Sequence, residues 1–197
     1  MTDDSFIKQI VQRGDQAKDK VRSEFSNISL EQLNWKPSPE SWSIAQCLDH
    51  LIMSHNSYFS DLEKITGGNY KMSSWEKYSP FTRLCGRLLI NQLQEQVKTK
   101  RKAPKKIQPT SGKANLDIIE VYQKSLDRFL ALISNCGNID LDKTIIISPT
   151  ISIVTYSLRD AFQFLLQHEH RHINQAIRVK QNENFPGKKF AQTTVGI

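Results

Sequence analysis

Three of the five histidines in this 197-residue chain fall within five positions near its C-terminus. They are His168, His170 and His172, in an amphipathic run from about Leu158 to Val179 that predicts a helix. Helical spacing places His168 and His172 on the apolar face, whereas His170 points elsewhere. Two neutral imidazoles one turn apart suit a divalent metal, although buried structural histidines are also common. A third ligand from another element is needed to decide.

Amphipathic periodicity elsewhere predicts three more long helices, and four such helices predict an all-α four-helix bundle. Capping boxes at Ser29–Gln32 and Ser43–Gln46 mark a short turn and the start of the second long helix. The stretch from Thr144 to Tyr156 is rich in Ile, Val and Thr, which favours a buried extended segment or a short hairpin. The predicted bounds of the three helices are about 3–25, 43–65 and 115–133.

The chain is predicted to form one domain, residues 1–181, followed by a C-terminal tail, residues 182–197. An irregular insertion at 66–110 separates the second and third long helices, and its residues 81–97 are predicted to hold a helical segment or two.

The net charge of +7 lies almost entirely in one run, residues 98–106, which carries six positive charges and no acid. The run has no interleaved aromatic residue, so a solvated linker is favoured and nucleic-acid binding is not. The three cysteines are widely spaced without a CxxC motif, and no apolar run is long enough to span a membrane. These features predict a cytoplasmic protein that makes no membrane contact.

The second long helix supplies two candidates for the third ligand. His55 lies near the centre of its apolar stripe, and His50 lies near the edge beside Cys47. Periodicity predicts that His55 is the more buried of the two, and a buried, hydrogen-bonded histidine is its simplest interpretation. The residues alone therefore leave the choice between His50 and His55 open, with Cys47 as a weaker rival.

Two segments carry a resemblance to a known family. The run Trp42–Leu51, which ends in His50 and Leu51, resembles the tryptophan-led helix start of the DinB-like family, and His168, His172 and Gln175 resemble its C-terminal motif. The resemblance implies an up-down-down-up bundle in which His50, His168 and His172 bind zinc or nickel. Three histidine ligands leave an open position for water or substrate.

This resemblance implies a metal-dependent transferase or hydrolase that acts on a small electrophile through a metal-bound thiolate or hydroxide, with a low-molecular-weight thiol as a candidate cosubstrate. No catalytic base is identified, since Asp49 and Glu169 are expected to be surface carboxylates. Gln175 is expected either to bond a group next to the ligands or to be a surface residue. The alternative is a non-catalytic, stress-associated metal-binding bundle, or one that binds an anionic partner through the 98–106 run. A homodimer is expected in both cases.

Overall fold

The computed structural model describes residues 3–80, 82, 86, 103–110 and 112–187. Its described part is predominantly helical, with one short two-stranded sheet and a 3-10 turn at Lys105–Ile107. This confirms the all-α prediction. The elements are α1 (Asp3–Phe25), α2 (Leu30–Asn34), α3 (Ile44–Thr66), α4 (Ser74–Tyr78), α5 (Ile118–Ser134), β1 (Ile145–Ile147), β2 (Thr155–Ser157) and α6 (Leu158–Gln181).

Serine caps begin the helices that matter most for the site. Both predicted capping boxes are present, with Ser29 and Ser43 accepting from the backbone of the third helical residue. Ser157 ends β2 and caps α6, since its hydroxyl accepts from the Asp160 amide at 3.1 Å. Each cap satisfies a backbone donor that the helix itself leaves unpaired.

The long helices α1 and α6 run parallel. Asp3, at the start of α1, pairs with Arg159 at the start of α6. Glu24, near the end of α1, pairs with Lys180 near the end of α6 at 3.0 Å. The N-terminal ends of the two helices therefore lie together, and so do their C-terminal ends.

The contacts of α1 with α5 run in the opposite sense. Gly14 abuts Leu130, and Lys18, one turn later, pairs with Asp127, one turn earlier, at 2.5 Å. A β-carbon on Gly14 would come within 2.5 Å of a Leu130 methyl, so any larger residue here would require the Leu130 side chain to move. The two helices are antiparallel.

Helices α3 and α5 run parallel to each other. His55 bonds Ser125, and Glu63, two turns later in α3, pairs with Arg128 in the following turn of α5. Both α1 and α3 pack against α5 and α6. The four long helices therefore form the predicted up-down-down-up bundle.

The core is one continuous apolar cluster between the four long helices. The apolar α1 side chains that face it include Phe6, Ile10, Ala17 and Val21, all of which are buried. At the predicted start of the third long helix, Leu116 precedes α5 and is exposed, which corrects that boundary. Beyond α6, Phe185 is buried, and its ring is perpendicular to that of Trp35 at a centroid distance of 5.6 Å.

The predicted hairpin is present, with β1 and β2 antiparallel and Ile146 opposite Tyr156. Most of the helical segment predicted at 81–97 and the first part of the basic run, residues 98–102, lie outside the described residues. Within the described ranges, none of the helices is sufficiently long and apolar to cross a membrane.

Candidate metal centre

Three histidines from facing helices converge in the bundle. His50 comes from the second turn of α3, and His168 and His172 come from the middle of α6. One ring nitrogen of each residue lies within 4.8 Å of the others. The Nε2 atoms of His50 and His168 are 2.9 Å apart, and the His172 ring centroid is 4.4 Å from that of His50. We call these residues the histidine cluster.

Hydrogen bonds to carbonyl oxygens orient two of the three rings. His50 Nδ1 lies 2.5 Å from the Ile107 carbonyl oxygen, and His172 Nδ1 lies 3.0 Å from Gln175 Oε1. Because an oxygen of this kind only accepts, each Nδ1 carries the proton and each Nε2 keeps its lone pair. Metal-ligating histidines characteristically have this arrangement. Gln175 therefore bonds a predicted ligand.

Burial keeps the cluster neutral. It lowers the pKa of His50, against the opposing effect of the Ile107 carbonyl. Burial, followed by the neighbouring His172 and His50, lowers the pKa of His168 well below its usual value. For His172, burial and then His50 lower the pKa to about 3. Neutral imidazole is the form that binds a metal ion.

Aromatic rings flank the cluster on two sides. The Trp42 ring lies 5.5 Å from that of His172 and nearly parallel to it, and 4.9 Å from that of His50. On α6, the Phe164 ring stacks on His168 at 5.9 Å. Trp42 immediately precedes the Ser43 cap, so the start of α3 positions both the ligand and this wall.

A second buried polar network adjoins the cluster, and Glu169 is its centre. The prediction of a surface carboxylate is wrong for this residue, which is 3% exposed. Glu169 accepts from Tyr122 at 2.5 Å and lies 2.9 Å from His55 Nε2. His55 Nδ1 lies 3.1 Å from Ser125 Oγ. Glu169 lies one helical turn from both Leu165 and Ile173, which are buried, so its side chain faces inward; it was assigned to the surface because isolated carboxylates are rarely buried.

The rival ligands are placed elsewhere. His55 is buried and hydrogen-bonded, as its simplest interpretation predicted. Cys47 is also buried, and burial raises the pKa of its thiol to about 12, which disfavours the thiolate that a metal requires. Neither residue belongs to the group that can hold a metal ion. Asp49 is partly exposed and bonds Thr110.

The donor set fits a divalent ion of borderline softness. Two nitrogens on a tetrahedral zinc are roughly 3.3 Å apart, given a Zn–N length of about 2.0–2.1 Å. The 2.9 Å separation in the cluster is close to that value. Three imidazoles suit zinc, nickel, copper or iron better than magnesium or calcium. Metal binding itself and the identity of the ion stay predictions.

Fold and site together define a four-helix bundle with histidines from facing helices gathered in its core, the position where bundles build metal sites. The sequence model of the DinB superfamily matches residues 13–176, and the chain belongs to that superfamily. It is also similar to the uncharacterized protein YuaE of Bacillus subtilis (strain 168), with 28% identity over 167 residues, 81% of this chain and 90% of that protein. No solved structure gives a significant match.

Proposed function

We propose that the protein is a divalent-metal-dependent enzyme, a transferase or hydrolase that acts on a small electrophile. The observation that carries the proposal is the convergence of three neutral imidazoles, two of them oriented by carbonyl oxygens. His50, His168 and His172 would hold the ion; the donor set suits zinc, nickel, copper or iron, and the family resemblance favours zinc or nickel. A divalent ion held there lowers the pKa of a bound thiol or water, which supplies a nucleophile near neutral pH.

Residues of the chain have separate parts in this proposal. Three protein ligands leave a coordination position for a small molecule, as in catalytic zinc sites. The apolar rings of Trp42 and Phe164 pack against the cluster. They favour binding of an uncharged electrophile and restrict the access of water to the site. Both carboxylate oxygens of Glu169 are engaged by Tyr122 and His55, so we assign it no part in proton transfer.

Turnover by metal-loaded protein tests this function. Zinc- and nickel-loaded samples are screened with low-molecular-weight thiols and with activated esters or alkyl halides, and loss of thiol or release of the leaving group is measured. We expect metal-dependent turnover that disappears in His168→Ala. Absence of turnover with every loaded form would count against an enzyme and favour a structural or sensory metal.

The alternative, binding of an anionic partner through the 98–106 run, gains no support from the described part of that run. Lys106 donates to the Pro149 carbonyl at 2.9 Å, so this lysine ties two parts of the chain together. Phosphate contacts would weaken steeply with salt. We expect no salt-dependent retention on DNA.

A homodimer stays a prediction, which the mass measured by light scattering tests.

A further inference from the structure

Residues 103–110, the described end of the long insertion, lie across the first turns of α3. We call this segment the strap. Its 3-10 turn, Lys105–Ile107, contacts α3, and Ile107 is buried. The strap therefore covers the end of α3 that carries His50.

The strap reaches the histidine cluster through one backbone atom. The Ile107 carbonyl oxygen accepts from His50 Nδ1 at 2.5 Å, while His50 Nε2 faces His168. This bond sets which nitrogen of His50 is protonated and how the ring is rotated. The predicted ligand thus depends on a segment 57 residues away in the chain.

Asp49 holds the strap in place. Its Oδ2 accepts from the Thr110 amide at 2.7 Å and from the Thr110 hydroxyl at 2.9 Å. On the other side of Ile107, Lys106 donates to the Pro149 carbonyl at 2.9 Å, in the loop between β1 and β2. The strap is therefore anchored on both sides of Ile107, and one anchor is the residue next to His50.

We propose that Asp49 is a positioning residue of the metal centre, which acts on His50 through Thr110 and the strap. This inference rests on the proposed metal binding. Asp49 does not face the cluster itself, because its bonded oxygen is directed at Thr110. Its role is to keep the Ile107 carbonyl against His50 so that Nε2 keeps its lone pair aimed at the ion. The long insertion thereby gains a function, as a support for the site.

The anchor can be removed without touching the cluster. Asp49→Ala removes both bonds to Thr110, and Asp49→Asn retains an oxygen that can accept them. Asp61→Ala is the matched control, because Asp61 is an aspartate on the same helix that pairs with Lys64 at 3.7 Å rather than with the strap. Two quantities are measured for each protein: the dissociation constant for Zn²⁺ by chelator competition, and amide hydrogen exchange of residues 103–110 in the metal-free state.

We expect Asp49→Ala to bind Zn²⁺ about 10- to 100-fold more weakly, the usual effect of losing an outer-shell partner. Its strap amides should exchange faster even without metal. Asp49→Asn should restore most of both properties, and Asp61→Ala should match the wild type. The visible spectrum of the Co²⁺ form should change in Asp49→Ala, which a change in stability alone would not produce.

Two failures are distinguishable. If the wild type binds Zn²⁺ and Asp49→Ala binds it within about twofold, the positioning role is refuted while the metal centre stands. If the wild type takes up no Zn²⁺, the proposed function fails, and the inference fails with it.

Discussion

The hydroxyl of Tyr122 offers a defined perturbation of the core, because it donates a hydrogen bond to Glu169 Oε1 at 2.5 Å. Tyr122→Phe removes that bond and leaves the ring in place. Tyr122 is 0% exposed and Glu169 is 3% exposed, so water cannot replace the lost donor without entering the core. Leaving one buried acceptor unpaired costs about 1–3 kcal/mol of unfolding free energy.

Urea denaturation of the metal-free protein measures this cost, with unfolding followed by circular dichroism. Tyr78→Phe is the matched control, since Tyr78 is 81% exposed and should change stability by less than about 0.5 kcal/mol. A loss below about 0.5 kcal/mol for Tyr122→Phe would refute the reasoning. Zn²⁺ binding by Tyr122→Phe should stay at the wild-type level, because neither Tyr122 nor Glu169 belongs to the group that can hold a metal ion.

Three further predictions concern the cluster and its neighbours. The metal-free protein should lose stability as pH falls below about 6.5, by up to about 1.4 kcal/mol per pH unit for each of His50, His168 and His172, because their pKa values are lower in the folded chain and the unfolded chain therefore binds more protons. Urea titrations between pH 7.5 and 5.5 measure the slope, and a flat profile would contradict it. Gln175→Leu should weaken Zn²⁺ binding about tenfold through loss of its bond to His172, as measured by chelator competition, whereas unchanged affinity would make the bond incidental. Cys47→Ser should keep full metal content, since Cys47 lies outside the cluster; lost metal with retained helicity would make it a ligand.

Helix positions could be predicted from the sequence because amphipathic periodicity and capping residues are local signals. Ser43 with Gln46 marked the start of α3, and the spacing of His168 and His172 placed both on one face. The local sequence pattern could not show which of His50 and His55 is the third ligand, since both side chains are buried on inward parts of α3. The family resemblance made that choice, and the geometry of the cluster agrees with it.

Contacts between distant segments could not be predicted in this way. The Ile107 carbonyl is a backbone group in an irregular insertion, and it has no side-chain pattern to reveal it. Glu169 was assigned to the surface because isolated carboxylates are rarely buried, whereas Tyr122 and His55 supply the partners that permit it. Both features depend on how α3, α5, α6 and the strap come together.

Metal content of protein purified without a metal-affinity tag tests the central claim most directly. Elemental analysis is made on the wild type, on His50→Ala, His168→Ala and His172→Ala, and on His55→Ala and His170→Ala as controls, with helicity checked for each. We expect about one zinc or nickel ion per chain in the wild type and controls, and loss of most of it in the three cluster variants. Full metal content in His50→Ala would contradict the three-histidine centre.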